Sequence, residues 1–592
     1  MSTQTIHGIG ASAGIAIGPI FRYETREYSV EERHIEDTAA ERARLDAALA
    51  QAQAEIQALA GQAQHDGDSS TASIFEAHAM FLSDPELLEQ VRATIETRHV
   101  NADYAWKEGT EHYAASLRSL GDEYLAARAT DVEDVATRVI RILHRAEEQA
   151  TRLEEPSVIV AAELTPSDTV TLDKQKVLAF CTARGGATSH VVILAKALGI
   201  PAIVGLGAAA DHLHTGAQAF VNGTTGEIII DPDEATIAAY RQQSRILARS
   251  QSEAQEKAHE PATTADGKQV EVVANIGSPG EAADALAYGA EGVGLLRTEF
   301  LFLDRDTPPD EDEQSAVYSA IMETMGQRPV VIRTLDIGGD KPAPYLDMPE
   351  EMNPFLGVRG LRLSLAHPAI FQVQLRALLR AGAGHNVKIM FPMVATREEI
   401  LAAREQIASA QAALAERGAN LTPHYEIGIM VEVPSAALMA DVLAGVVDFF
   451  SIGTNDLAQY TLAVDRTNAA VAPLADALHP AVLRLIGTVI EAAHAQGKWV
   501  GLCGELAGDP LAAPVLLGLG LDEFSMTARS IPLVKQVIRR CTLAQVREIA
   551  RHVLTLSDAG EVRAYVHHQF GLEQTPRMGE IQGTKRIVET AR

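Results

Sequence analysis

Apolar and polar residues alternate in different ways along this chain, and each pattern predicts a different kind of domain. Residues 6–23 alternate apolar side chains with glycine, which is typical of short strands and tight turns. Residues 31–148 are rich in alanine, glutamate, arginine and leucine, with apolar positions at helical spacing such as Leu45, Leu49 and Ile56. We interpret this block as roughly four helices packed as a bundle.

A sequence pattern typical of short strands and turns follows the helical block. Residues 156–232 contain several short apolar runs separated by glycine and hydroxyl residues, which predicts a small mixed α/β domain. The helical block is therefore inserted between the first strands of that domain and the rest of it. Residues 234–260 form a polar run without turn residues, which predicts a linker helix.

The second half of the chain repeats a strand–helix pattern. Eight apolar strand candidates follow residue 269, beginning with VEVVANIG and ending with EFSMTA, and helical segments separate them. Eight such units in about 300 residues predict a TIM (β/α)8 barrel. An open parallel sheet is the alternative.

These patterns divide the chain into five predicted parts. Residues 1–30 and 149–232 form the α/β domain, 31–148 the helical subdomain, 233–262 the linker helix, 263–575 the barrel and 576–592 a polar tail.

Net charge, the length of apolar runs and the cysteine count limit the ligands and the cellular location expected for this protein. The chain has 592 residues and a formal net charge of −29, which argues against binding to nucleic acids or anionic membranes. No apolar run is long enough to insert into a membrane. The three cysteines are few and far apart, which favours a reduced, cytoplasmic location.

His190 occupies a distinctive position in the α/β domain. Two glycines, Thr188 and Ser189 lie between an apolar strand and His190, and helical apolar spacing follows. Free amides and hydroxyls at a helix start bind phosphate, and a histidine there can carry a phosphoryl group on a ring nitrogen. The alternative is a histidine that only packs or caps the turn.

Several barrel strand candidates end in polar or charged residues, which a barrel brings to one rim. These residues are Arg297, Arg333, Glu432, Asn455, Asp456 and Cys503. Arginine suits carboxylate and phosphate groups, and the two carboxylates offer oxygen ligands for Mg²⁺. Cys503 is either a proton donor or a small buried strand residue.

Two long strings identify a family. GGATSHVVILAKALGIPAIVG, residues 185–205, resembles the phosphohistidine signature of enzymes that use phosphoenolpyruvate, and residues 448–466 resemble their second signature. Val191 stands where a small residue is usual, and Lys196 where arginine is usual. The resemblance extends over nearly the whole chain and leaves only the tail uncovered.

The resemblance assigns roles to particular residues. His190 would be phosphorylated, with Thr169 and Arg128 supporting it, and Cys503 would donate a proton. Glu432 and Asp456 would hold Mg²⁺. Phosphoenolpyruvate would be bound by Arg297, Arg333, Asn455, Asp456 and Arg466, with Arg359 nearby.

The resemblance also implies partners. Family members with small-molecule acceptors, the dikinases and synthases, carry a large ATP-binding domain before the histidine, and here only about 180 residues precede the signature. We therefore expect transfer to the small phosphocarrier protein HPr, docked on the helical block, and a homodimer formed through the barrel. A small-molecule acceptor and a non-catalytic scaffold are the alternatives.

Overall fold

A computed structural model describes most of the chain. The described residues are 4–12, 14–23, 28–65, 75, 77–119, 123–145, 153–185, 189–303, 305–338, 345–346, 348, 351–419, 425–466, 468 and 471–570. The chain forms two compact units, residues 1–246 and 247–592. Helix Glu234–Glu256 spans the boundary between them.

The first unit combines strands with long helices. Its strands are β1 (Gln4–His7), β2 (Ile9–Ser12), β3 (Ile15–Tyr23), β4 (Ser157–Ala161), β5 (Val177–Thr182), β6 (Ala202–Val204), β7 (Gln218–Asn222) and β8 (Glu227–Ile230). Its helices are α1 (Thr38–His65), α2 (Pro85–Arg98), α3 (Ala102–Ser119), α4 (Glu123–Leu143), α5 (Pro166–Thr171) and α6 (His190–Leu198), followed by α7 (Glu234–Glu256).

The sheet of this unit shows where the helical block is inserted. Its strand order is β1-β8-β7-β3-β4-β5-β6-β2. Strands β3 and β4 are parallel neighbours, with Phe21 opposite Ile159, although α1 to α4 separate them in sequence. The predicted α/β domain with an inserted helical bundle is confirmed.

Helix α2 illustrates how local sequence defines the bundle. Asp84 precedes it and accepts hydrogen bonds from the backbone N–H groups of Glu86 and Leu87 at 2.9 and 3.0 Å. Proline occupies the first helical turn, where its missing N–H needs no partner. Leu87, Val91 and Ile95 are buried at four-residue spacing, so that one face of the helix packs in the bundle core.

The second unit is a closed barrel. Its parallel strands are β10 (Gln269–Ile276), β11 (Val293–Leu296), β12 (Val330–Arg333), β13 (Val387–Phe391), β14 (Glu426–Val431), β15 (Phe449–Ile452), β16 (Trp499–Leu502) and β17 (Glu523–Met526), with β9 (Ala262–Thr263) antiparallel to β10. Each strand pairs with the next, and β17 pairs in parallel with β10. The predicted TIM barrel is confirmed, and the open parallel sheet is wrong.

Helices surround the barrel and short ones follow several strands. They are α8 (Pro279–Ala287), α9 (Glu311–Met325), α10 (Leu361–Ala366), α11 (Pro368–Ala381), α12 (Arg397–Glu416), α13 (Pro434–Leu438), α14 (Ala440–Leu443), α15 (Thr454–Leu462), α16 (Pro480–His494), α17 (Ala513–Leu519), α18 (Ile531–Arg540), α19 (Leu543–Val553) and α20 (Ala559–Phe570). The barrel interior is packed with the side chains of Leu295, Val331, Met390, Met430, Phe449 and Cys503.

Two predictions about organisation are not decided by these units. The five-part division is finer than the two units and stays a prediction, and the tail at 576–592 lies outside the described residues. Within the described part of the chain, no helix has the length and apolar character needed to cross a bilayer.

Candidate functional site

The carboxyl ends of the barrel strands bring most of the predicted barrel residues to one rim. Arg333 is the last residue of β12, Glu432 directly follows β14, and Cys503 directly follows β16. Asp456 lies in the first turn of α15, which begins two residues after β15. Parallel strands end at the same edge of a barrel, so these four side chains share a rim.

An alternating row of buried acids and arginines forms the centre of this rim. Arg333 donates to Glu299 at 2.7 Å and pairs with Asp336 at 3.0 Å. Arg359 donates to both oxygens of Asp336, at 3.0 and 3.2 Å, and to both oxygens of Asp456, at 3.0 and 3.3 Å. All five residues are between 1 and 7% exposed. We call this row the rim network.

The rim network keeps its arginines charged. Burial by itself lowers the pKa of Arg333, but the carboxylates of Glu299 and Asp336 outweigh burial and raise that pKa above its ordinary value. The same balance raises the pKa of Arg359, whose partners are Asp336 and Asp456. Two permanent positive charges are therefore held among these carboxylates near the carboxyl ends of the strands.

Glu432 is a buried carboxyl beside this network. Its Oε1 accepts a 2.6 Å hydrogen bond from the backbone N–H of Met393, and its side chain is 1% exposed. A Cβ added at Gly453 would lie 3.1 Å from its Oε2, so only glycine leaves room there without displacement. Burial, and after it the negative charge of Asp456, raise the pKa of Glu432 above its ordinary value.

The donor chemistry of this pair fits a hard divalent cation. Glu432 and Asp456 supply carboxylate oxygens, and a cation would offset both the burial of Glu432 and the negative charge that Asp456 places near it. Among the described residues no group of three or more His, Cys, Asp or Glu could hold a metal. A cation here would therefore complete its coordination with substrate oxygens and water, as Mg²⁺ commonly does.

Cys503 lies in the barrel interior below the rim. It is 4% exposed, and its Sγ lies 3.7 Å from the backbone oxygen of Ile452. Burial raises the pKa of the Cys503 thiol to about 11, so the sulfur holds its proton at neutral pH. A protonated thiol near the rim can donate that proton, and the same burial is also what a packing role would show.

The remaining predicted barrel residues are more exposed. Arg297 is exposed directly after β11. Arg466 is partly buried, with its Nη1 3.5 Å from Asp456. Asn455 is partly buried, and its side-chain oxygen accepts from the backbone N–H of Glu505 at 3.2 Å, which leaves its amide group as a donor. Their positions fit a ligand entering from solvent.

In the first unit, His190 is the first residue of α6. Ser189 precedes the helix in extended conformation, and its Oγ is buried without a hydrogen-bond partner in the described part of the chain. Gly185 has a φ of 101°, which favours glycine. Residues 186–188, including Thr188, and the side chain of His190 lie outside the described residues.

The two departures from the family signature occupy different environments. Val191 is 3% exposed and belongs to the apolar core beneath α6, so its larger side chain is accommodated by packing. Lys196 is exposed.

Thr169 lies on α5, which packs beside α6. Its hydroxyl donates to the backbone oxygen of Pro166 at 2.8 Å, and its side chain is buried. The helical block reaches the same short helix, because Arg138 of α4 donates to the Ser167 hydroxyl at 2.9 Å. The side chain of Arg128 lies outside the described residues.

Sequence reasoning missed two members of the rim network. The sequence analysis predicted no role for Glu299 or Asp336. Each lies two or three residues after an arginine that ends or follows a strand. For Asp336 this spacing is a usable signal, because the buried Arg333 three residues earlier requires a compensating charge. Glu299 pairs with Arg333 and not with the nearby, exposed Arg297, so its spacing gives no such signal.

Three protein-family models match this chain. They are "PEP-utilising enzyme, N-terminal" over residues 7–128, "PEP-utilising enzyme, mobile domain" over 153–226 and "PEP-utilising enzyme, PEP-binding domain" over 251–543. The first two fall in the unit with His190, and the third covers the barrel strands.

Curated relatives carry one name. The "Phosphoenolpyruvate-protein phosphotransferase" of Geobacillus stearothermophilus is 46% identical over 570 residues, which are 96% of this chain and 99% of the relative. The protein of the same name from Bacillus subtilis (strain 168) is 45% identical over 568 residues, 96% of this chain and 100% of the relative. A solved NMR structure of an Enzyme I protein is 40% identical and covers 41% of this chain and 99% of its own, with a TM-score of 0.36.

The rim network predicts that neutralising a buried acid lowers the free energy of unfolding much more than neutralising a surface acid does. Asp336→Asn should lower the free energy of unfolding of the barrel by about 3–5 kcal/mol, because both Arg333 and Arg359 lose a buried counter-charge. Asp312→Asn is the matched control, since Asp312 pairs with Arg380 on the surface and should cost less than about 1 kcal/mol. Urea unfolding of the full chain measures both, and equal losses would contradict the proposed importance of the buried row.

Proposed function

The chain belongs to the phosphoenolpyruvate-protein phosphotransferases among the PEP-utilising enzymes, and on that premise we propose how its residues carry out the reaction. The phosphoryl group of phosphoenolpyruvate passes to His190 and then to a histidine of the phosphocarrier protein HPr, and pyruvate is released. The observation that carries this proposal is the rim network, which holds arginines ready for an anion bearing a phosphate and a carboxylate.

The arginines bind and orient the substrate. Arg333 and Arg359 are pre-positioned by carboxylates, so they lose little conformational freedom when an anion binds. Arg297 and Arg466 approach from the more exposed side of the rim, and the amide of Asn455 donates to a phosphate oxygen. Glu432 and Asp456 would hold Mg²⁺, which would supply positive charge against the negative charge that builds during transfer.

The chemistry balances without a further reactant. The phosphorus–oxygen bond of phosphoenolpyruvate breaks, and a bond forms between phosphorus and a ring nitrogen of His190. The electron pair left on the enol oxygen makes the product an enolate. The Cys503 thiol then gives its proton to the methylene carbon, which produces pyruvate, and solvent restores the thiol.

Transfer between two separate units requires motion. His190 belongs to the first unit and the rim network to the second, and in-line transfer demands close placement of nitrogen, phosphorus and leaving oxygen. We propose that one unit swings onto the other about helix α7. The helical block, inserted beside β3 and in contact with α5, is the proposed docking surface for HPr.

A homodimer through the barrel is part of the proposal. Leu438, Met439 and Val442 are 64, 48 and 43% exposed on and between the consecutive short helices α13 and α14. Adjacent exposed apolar side chains of this kind favour a protein interface.

The cysteines Cys181, Cys503 and Cys541 are all free and buried, which fits the proposed cytoplasmic location.

Two variants separate the two half-reactions. His190→Ala should abolish both labelling from phosphoenolpyruvate and exchange with phospho-HPr, because the acceptor nitrogen is gone. Asp456→Asn should cripple only labelling from phosphoenolpyruvate, because Asp456 serves the substrate site. Acid-labile phosphate measures both reactions, and His214→Ala, an exposed histidine in the same unit, is the control. Retained labelling in His190→Ala, or equal loss of both reactions in Asp456→Asn, would overturn the assignment. Labelling that required ATP or AMP would instead favour a small-molecule acceptor.

Cys503→Ala should slow pyruvate formation by roughly 10²–10⁴-fold, because the enolate loses its positioned acid. Phosphoenolpyruvate binding, measured by calorimetry, should survive, since the neutral thiol contributes no charge. Cys541→Ala is a matched control, because it truncates another buried free cysteine in the same unit. Near-normal turnover in Cys503→Ala would reduce Cys503 to packing.

The dimer proposal is tested at its exposed apolar residues. The double variant Leu438→Lys, Val442→Lys should raise the dimer dissociation constant by at least about tenfold, because buried charge opposes an apolar interface. Ile9→Lys, which alters an apolar residue 56% exposed in the other unit, should leave it unchanged. Analytical ultracentrifugation measures the constant, and equal behaviour of the two variants would place the interface elsewhere.

A further inference from the structure

The end of helix α7 is enclosed by a three-way junction on the barrel. The side chain of Lys535, on α18, is fully buried there. Its Nζ donates to the backbone oxygens of Ala258 at 3.1 Å and Gly289 at 2.8 Å, and to Glu291 Oε1 at 2.9 Å. One ammonium group therefore joins the turn after α7, the turn after α8 and the start of β11.

A close backbone contact reinforces this junction. Gly289 has a φ of 83°, and a Cβ added to it would lie 2.1 Å from the backbone oxygen of Ala258. Only glycine permits this approach. Ala258 is itself fully buried, so the turn after α7 is packed against the barrel as well as hydrogen-bonded to it.

Neighbouring residues of α18 hold the same segment. Arg539 donates to the backbone oxygens of Lys257 at 2.8 Å and Pro261 at 3.1 Å, and also to that of Glu260. Gln536 accepts a hydrogen bond from the Ser250 hydroxyl at 3.1 Å. Two cations, Lys535 and Arg539, thus donate to backbone oxygens of the turn that follows α7.

Burial removes the ammonium group of Lys535 from water, which destabilises the fold unless its hydrogen bonds compensate for the lost hydration. Burial lowers the pKa of Lys535, and the carboxylate of Glu291 acts against that effect. An apolar side chain of similar length would fill the same volume but leave the oxygens of Ala258 and Gly289 buried without a donor. The hydrogen bonds of Lys535 therefore attach the turn after α7 to the barrel, in addition to the packing of its side chain.

We propose that Lys535 is a positioning residue for phosphoryl transfer, because it fixes the C-terminal end of α7 to the barrel and confines the swing between units to the chain before Ser250. This inference rests on the proposed function, in which His190 must reach the rim network. A connection that is rigid at the barrel limits the directions that a mobile unit can explore. Fewer directions raise the frequency of productive approach.

The test uses the full chain and separates attachment from transfer. In Lys535→Met, hydrogen–deuterium exchange of the backbone amides of residues 257–260 should become faster. Single-turnover phosphorylation of His190 by phosphoenolpyruvate should slow by roughly 10–10²-fold, because misplacement of the reacting groups is costly. Phosphoenolpyruvate binding by calorimetry and phosphate exchange with phospho-HPr should be unchanged, since each takes place within one unit.

The matched control is Arg540→Met, which removes an exposed cation from the last turn of the same helix and should change none of these readings. Arg539→Met provides a milder second variant if Lys535→Met fails to fold, because Arg539 is only partly buried and contacts the same turn. It should reproduce both effects in smaller size.

Two results would overturn the inference. Faster exchange at 257–260 with an unchanged single-turnover rate would show that attachment does not guide transfer. Equal slowing of transfer, substrate binding and phospho-HPr exchange would show a general loss of structure. If the unaltered chain were not phosphorylated by phosphoenolpyruvate at all, the proposed function would fail, and the exchange measurement would still report whether Lys535 attaches the helix.

Discussion

The need to pair buried charges organises the catalytic end of the barrel. Arg333 and Arg359 are almost removed from water, and each is held between two carboxylates. Leaving any one of these charges unpaired in such a place would cost several kcal/mol. The row therefore fixes the directions of both guanidinium groups before a ligand arrives, and the same pairing keeps them charged at every physiological pH.

The rim network also explains why a metal and an anionic substrate suit this site together. Asp456 already contacts Arg359 and Arg466, while Glu432 lies in its negative field. A divalent cation would relieve the repulsion between these two carboxylates, and a phosphate would balance the surrounding arginines. Binding of one therefore favours binding of the other, which suits a reaction in which charge moves from a phosphate ester to an enolate.

His190 and the proposed substrate site lie in different units and have different structural settings. His190 is the first residue of α6, a position where the backbone amides of a helix start would be available to a phosphate. The substrate site is built into the rigid mouth of a barrel, where eight strands hold it. In the proposed transfer the connecting helix must allow one unit to move, and the hydrogen bonds of Lys535 to the turn after α7 would restrict that motion at the barrel end.

The sequence by itself determined the kinds of domain, the barrel and the family, because hydrophobic period and long signature strings are local properties of the chain. It also indicated which strands end in charged residues, such as Arg333 and Glu432. It did not reveal the roles of Glu299 and Asp336, or that Lys535 is buried. Those assignments depend on which residues meet across the barrel, as when Arg359 binds both Asp336 and Asp456, which lies 97 positions after Arg359 in the chain. Only the closed sheet brings such distant residues together, because charge pairing is a property of three-dimensional neighbours and leaves no periodic mark in the sequence.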